Sequence, residues 1–183
     1  SVDNASTTVT VSYSITEGTN EIEDISYTIE WTFGDTIADF TATAKYGDVK
    51  IEYKLTSAGD DAYSTTRPTE AGEYTARFTT TDTNYTKLVE TRTFTIQQAT
   101  VDVPTVDDQI YTGSTITSGL EDTDYYTVTT DEGGINVGTY KVTLTLKDSH
   151  NYKWSNSDAE TIEVSYSIVQ AQAVITGPTI EGW

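Results

Sequence analysis

The stretch Val137-Gly138-Thr139-Tyr140-Lys141-Val142-Thr143-Leu144-Thr145-Leu146-Lys147 sets the structural class of this chain. Tyr140, Val142, Leu144 and Leu146 alternate with Lys141, Thr143, Thr145 and Lys147. A period of two with one apolar face belongs to a strand packed on a core on one side and wet on the other. The same alternation runs through Val49, Ile51, Tyr53 and Leu55, and through Ile162, Val164, Tyr166 and Ile168. Composition agrees: 38 Thr, 14 Val and 14 Ile stand against 5 Leu, and β-branched side chains with a stiff χ1 suit a pleated sheet better than a helix. Between the alternating runs stand Ser57-Ala58-Gly59-Asp60-Asp61 and Asp131-Glu132-Gly133-Gly134, where Gly and Asp supply the backbone freedom and side-chain bonds that reversals need. The prediction is an all-β chain.

The stretch also repeats. Val164-Ser165-Tyr166-Ser167-Ile168 occurs letter for letter as Val11-Ser12-Tyr13-Ser14-Ile15, and Thr93-Phe94-Thr95-Ile96 is a variant of it. Ahead of the last two copies stand matching blocks, Ala71-Gly72-Glu73-Tyr74 with Asp82-Thr83-Asn84-Tyr85, and Val137-Gly138-Thr139-Tyr140 with Asp148-Ser149-His150-Asn151-Tyr152. Ile15, Ile96 and Ile168 lie 81 and 72 residues apart, so the repeating unit is nearly half the chain. The expected organisation is residues 1–15 as the C-terminal strand of a preceding repeat, 16–98 as repeat unit A, 99–170 as repeat unit B and 171–183 as the start of a following repeat. Thr179-Ile180-Glu181-Gly182-Trp183 echoes Thr28-Ile29-Glu30-Trp31. Short connectors, Thr16 to Asn20, Gln97-Gln98-Ala99 and Val169 to Ala173, lead to the expectation of a beaded rod with limited bending.

A Gly two residues before a Tyr that opens a strand is how a tyrosine corner looks, with the ring turned inward and the hydroxyl bonded to backbone at the preceding corner of a sandwich. A hairpin turn followed by an aromatic core residue is the plainer reading. Where antibody-like domains carry a Cys two residues after that Tyr, this chain has Ala76 and Val142, as a sandwich held by packing alone would. The fold expected is two tandem immunoglobulin-like β-sandwich repeats. A β-grasp arrangement is the alternative, but no ten-residue stretch of helical period supplies its helix.

Trp31-Thr32-Phe33-Gly34-Asp35, Ala42-Thr43-Ala44-Lys45-Tyr46-Gly47, Arg67-Pro68-Thr69-Glu70-Ala71-Gly72-Glu73-Tyr74, Asn84-Tyr85 and Phe94-Thr95-Ile96 follow one another in an order that resembles the tandem MBG or YDG repeats of large bacterial surface proteins. Unit B is similar but of another subtype, with Tyr111-Thr112-Gly113 and Asn151-Tyr152 and without a clear equivalent of Tyr46-Gly47. The resemblance implies a secreted, wall-associated or adhesin-type protein at the bacterial cell surface in which such units are spacers, and it brings no catalytic residues.

Charge excludes some partners. Ten Lys+Arg against 29 Asp+Glu give a net charge of −19, and a surface of that sign repels phosphate backbones and anionic headgroups. No nucleic acid and no membrane insertion are expected, since no apolar run reaches the length of a span. Neighbouring repeats of the same chain are the expected partners, with a host or dietary glycan or protein as the further option, and the fragment is expected to be a monomer. The absence of Cys rules out disulfides and thiolate sites. His150 is the only histidine, so no His-based zinc site forms, and a Ser-His-Asp triad would have to use this loop residue. The acidic pairs read as surface charge, and the chain is expected not to be an enzyme and to carry no cofactor.

Two site candidates remain. Glu121, Asp122 and Asp124 share one loop near Asp131 and Glu132, and hard oxygen ligands at such spacing hold Ca²⁺ if six or more oxygens converge; the competing reading is an acidic, solubilising loop. Trp154 with Tyr152, or Tyr125-Tyr126, would form a stacking platform for a sugar ring. The competing reading is shared core packing, because Asn84-Tyr85 recurs as Asn151-Tyr152. Trp154 alone has no aromatic counterpart, unit A offering Leu88 nearby. An isopeptide staple is disfavoured because alternation points Lys54 and Lys141 to the wet face.

Overall fold

The computed structural model describes residues 8–173 and Gly177. Of the expected start of a following repeat, residues 171–173 and Gly177 are described; Trp183 and residues 1–7 lie outside the described residues. The described chain is all-β: strand is its regular structure, and it has no α-helix for a β-grasp sheet to wrap. It divides into two compact units, one formed by Ser1–Glu30, Thr36–Pro68 and Glu73–Thr95, the other by Trp31–Asp35, Thr69–Gly72 and Ile96–Trp183.

The first half of the chain carries strands β1 (Ile22–Ser26), β2 (Glu30–Thr32), β3 (Thr41–Ala44), β4 (Val49–Leu55), β5 (Gly72–Thr80) and β6 (Val89–Gln97). They form a two-stranded sheet, β1-β3, and a four-stranded sheet in the order β2-β6-β5-β4. β4 and β5 pair antiparallel from Val49↔Thr80 to Leu55↔Tyr74. Period two on β5 sends Tyr74, Ala76 and Phe78 inward, and Ala76 and Phe78 are wholly enclosed. The core of the first unit is aromatic: Phe40 meets Phe94 edge-on at 5.1 Å and Tyr53 at 5.7 Å, and Tyr74 stacks on Phe94 at 5.5 Å.

β4 departs from simple alternation. Glu52, expected on the wet face, is buried, and Leu55, expected inside, is 47% exposed. Beyond the 3₁₀ turn Asp60–Ala62, the chain returns to β4, where Tyr53 N donates to Ser64 O at 2.7 Å and Ser64 N to Tyr53 O at 2.9 Å. Tyr63 then lies under the Arg77 guanidinium at 3.7 Å and the Lys54 ammonium at 5.3 Å. Glu52 accepts from Arg77 at 2.8 Å and pairs with Lys50 at 2.7 Å. These two cations, Lys50 first, hold its carboxyl below the usual range. Lys54, expected in solvent, is likewise covered, donating to Ala58 O and pairing with Asp60 at 3.1 Å. A returning loop has turned one wet face into a second packed layer.

The second half carries β7 (Ala99–Val101), β8 (Gln109–Ile110), β9 (Tyr126–Thr130), β10 (Gly138–Leu146), β11 (Tyr152–Trp154) and β12 (Thr161–Val169). Again there is a four-stranded sheet, β8-β12-β10-β9, and a two-stranded one, β11-β7. β10 and β12 pair antiparallel over eight residues, from Gly138↔Ile168 to Thr145↔Thr161, and β12 pairs parallel with β8. Val142, Leu144, Leu146 and Val164 point inward to a core closed by Val101, Tyr126 and Trp154. Here alternation predicts the inward face of β10 correctly, and the outward face carries hydroxyl rungs, Thr129 to Thr145 at 2.9 Å and Thr145 to Thr161 at 3.1 Å.

The corner reading of Tyr140 holds in its chemistry: its hydroxyl donates to Asn136 O at 2.8 Å. A Cβ on Gly134 would lie 2.0 Å from the Tyr140 ring, so that position requires glycine for space. Tyr166 beneath it donates to Ile116 O at 3.3 Å and to Asp131 at 3.4 Å. Burial, and then the Asp131 carboxylate, push the Tyr166 phenol up from its ordinary value. Residues 8–15 form no strand, and Val11, Tyr13 and Ile15 are 78–90% exposed.

Candidate functional site

The second unit holds a groove of about 720 Å³ whose lining includes Phe33, Asp35, Asp102, Asp124, Tyr125 and Tyr152. Four separate stretches, 33–35, 99–102, 123–126 and Tyr152, bring these residues together, all of them inside the second unit. Tyr152 opens β11, which pairs parallel with β7 so that Tyr152 faces Ala99. Just before it, Asp148 organises a tight turn, accepting from the backbone N–H of His150 at 3.2 Å and of Asn151 at 3.1 Å, and from Asn151 Nδ2 at 2.8 Å. The Asn151 side-chain bond, foremost, holds the Asp148 carboxyl below its usual range. Asn151 is itself buried, its Oδ1 accepting from Ala71 N at 2.8 Å while Nδ2 also reaches Glu70.

Tyr125 comes from the loop before β9. Thr123 Oγ1 accepts from the N–H of Tyr125 and Tyr126, each at 3.2 Å, and Lys147 Nζ donates to Thr123 O at 2.6 Å. Tyr126 turns into the core against Trp154, leaving Tyr125 47% exposed. Phe33 is placed by its N–H bond to Gln97 O at 2.8 Å and by a turn in which Gly34 takes φ 88° and Asp35 accepts from Thr32 N. Phe33 meets Tyr152 edge-on at 5.4 Å, and Tyr125 meets Tyr152 at 5.3 Å. The groove thus combines aromatic walls with the exposed carboxylates of Asp35, Asp102 and Asp124. Such a lining presents apolar faces to the C–H side of a sugar ring and acceptors to its hydroxyls.

The expected site residues are distributed differently from the expectation. Trp154 is a correction: it is 1% exposed, its ring is packed on Tyr126, and its indole N–H donates to Glu160 O at 3.3 Å. It offers no face to a ligand. Tyr152 does reach the groove, and its partner there is Tyr125. The calcium loop does not assemble either: no three His, Cys, Asp or Glu side chains gather around a common point among the described residues. Asp122 accepts from Val128 N at 2.7 Å, Asp131 is taken by Ser118 N and Oγ at 2.8 and 2.6 Å, Glu121 is exposed, and Asp124 faces the groove. His150 is exposed and is held through its backbone.

In the sequence, Phe33 and Asp35 stand out only as part of an ordered motif. Their signal was the aromatic-Gly-Asp order, which encodes a turn that displays the ring. No family model, no curated protein and no solved structure matches the chain. Among the described residues, no helix is long and apolar enough to cross a membrane.

Proposed function

We propose that the chain is a non-catalytic tandem-repeat segment of a large bacterial surface or secreted adhesin-like protein, a stalk of immunoglobulin-like β-sandwich units that projects other domains. The observation that carries this reading is a joint made twice. Where the chain runs into each unit it is bonded parallel to the segment around the Asn-Tyr pair: Gly18 pairs with Tyr85 and Gly18 N donates to Asn84 O at 3.0 Å, while Ala99 pairs with Tyr152 and Ala99 N donates to Asn151 O at 2.9 Å. A connector bonded into the unit it leads to is what a load-bearing spacer needs, and the tyrosine corner at Tyr140 and the MBG/YDG-like motif order support the same reading. Antibodies to this segment should label intact cells of the source bacterium; labelling only after lysis would overturn the surface assignment.

The groove favours one second reading, a carbohydrate-binding module, with its site at Tyr125, Tyr152 and Phe33 in place of Trp154. A glycan array probed with the fragment separates the two. The spacer reading expects no saturable binding. Saturable binding that Tyr125→Ala removes, with the fold intact by circular dichroism, would establish the module.

A further inference from the structure

Residues 8–15 read Thr-Val-Thr-Val-Ser-Tyr-Ser-Ile, and β12 begins Thr161-Ile162-Glu163-Val164-Ser165-Tyr166-Ser167-Ile168, so six of eight positions are identical. The two copies live in opposite environments. In β12, Val164, Tyr166 and Ile168 are 8%, 3% and 1% exposed, and the backbone is paired antiparallel with β10 from Thr161 to Ile168 and parallel with β8 at Ile168 and Val169. In the first copy Val11, Tyr13 and Ile15 are 78%, 86% and 90% exposed, Val9 is 80% exposed, and no strand partner is present. Side-chain chemistry cannot be the cause of this difference, since the letters are the same. What the first copy lacks is a slot.

That slot is not open among the described residues. The corresponding position beside β10 is filled by β12, and in the other four-stranded sheet β6, with its own Thr93-Phe94-Thr95-Ile96, lies between β2 and β5. Exchange with β12 of a second copy would trade one strand for a near-identical one and leave the displaced strand exposed, with no net gain. An alternating strand with a bare apolar face and unpaired N–H and C=O groups is a template for an edge that matches it.

We propose that residues 8–15 are the closing strand of a third unit, inserted beside a strand of the β10 pattern Gly-x-Tyr-x-Val-x-Leu that precedes them in the same polypeptide. This rests on the tandem-repeat reading and names the partner of its first segment. The register follows from β10 and β12: Ile15 opposite the glycine, Tyr13 opposite the tyrosine and Val11 opposite the valine, as Ile168, Tyr166 and Val164 are now.

The test gives the full chain an acceptor. Residues 99–154, which end with β11, are fused directly ahead of Ser1, so that residues 1–7 take the place of residues 155–160 in leading to the strand. Hydrogen exchange read by mass spectrometry should show the amides of residues 9–15 slowed at least about 100-fold relative to the unfused chain, at all protein concentrations. Val11→Asp with Tyr13→Asp in the fusion should abolish that protection while leaving β12 as protected as before. Unchanged fast exchange at residues 9–15 would overturn the proposal. Protection that appears only on dimerisation would overturn it too, assigning the strand to a second copy. Neither outcome depends on surface labelling, so the spacer reading stands or falls separately.

Discussion

Tyr85 and Tyr152 occupy the same place in the two sequence repeats, each following an Asn whose carbonyl bonds the incoming connector. Their surroundings differ. Tyr85 is closed off: Gly18 lies so near one part of the ring that a Cβ there would come within 2.9 Å, and Tyr46 stacks on it at 4.1 Å with planes 7° apart. Tyr152 has no ring stacked on it: it packs partly against the second core, meets the edges of Phe33 and Tyr125, and a groove opens beside it. Both joints have the tyrosine and the backbone bond. The stacked cover is optional, and where the Tyr46-Gly47 motif is missing the position becomes free to do something else. A repeat can therefore conserve its mechanics while varying its surface.

The sharpest way to break the comparison is through the cores. Trp154→Ala should destabilise the second unit by about 3–5 kcal/mol, because the side chain is fully enclosed among Val101, Tyr126 and Leu146. Exchange of the β10 and β12 amides would accelerate, and a loss under about 1 kcal/mol would contradict its placement. Gly47→Ala tests the cover of Tyr85. Gly47 has φ 74° and a Cβ there would approach Asp82 Cβ to 2.7 Å, so a loss on the order of 2 kcal/mol is expected. It would be read as faster exchange near residues 82–86, and Tyr152 would be untouched.

Titration separates the units more gently. The folded pKa of Tyr166 is raised, so the contribution of its neutral form is complete below the ordinary value of 10.0 and is lost as the pH rises through the folded value. Phe94 fills the matching place near Tyr74, so Tyr166→Phe should flatten the alkaline limb of the second unit alone, measured by pH-dependent melting. On the acid side the folded pKa of Asp148 is lowered; its contribution is present above the ordinary 3.8 and is lost as the pH falls through the lowered value. Smallest of all, Asp24→Gly should stabilise the first unit by about 0.5 kcal/mol, because Asp24 sits at φ 43° in the irregular pairing of β1 with β3.

Much of the fold is written in period two, and β10 shows why that works: one strand, one core, one wet side. β4 shows where it stops, since burial of Glu52 follows from a loop that returns ten residues later and covers the outer face with Tyr63. Trp154 misleads for a related reason. Its lack of an aromatic counterpart at Leu88 suggests a ligand, but the same difference means only that one core is filled by an indole and the other by phenylalanine rings. The groove is not legible locally because it joins residues 33–35, 99–102 and 123–126, whose meeting depends on topology. Tyr152 and Tyr125 could each be suspected; their adjacency could not.

The shortage of cationic side chains also governs how the protein is digested. Enzymes that cut after Lys or Arg need that residue extended and free of its own ladder. Six of the ten, Lys50, Lys54, Arg77, Arg92, Lys141 and Lys153, lie inside strands, where backbone pairing denies a protease its grip. Arg67 precedes Pro68, a bond such enzymes leave uncut. Of the remaining three, Lys45 N still donates to Glu21 O and Lys147 N to Tyr125 O, each at 2.9 Å, so trypsin-like cleavage of the folded chain would begin at Lys87.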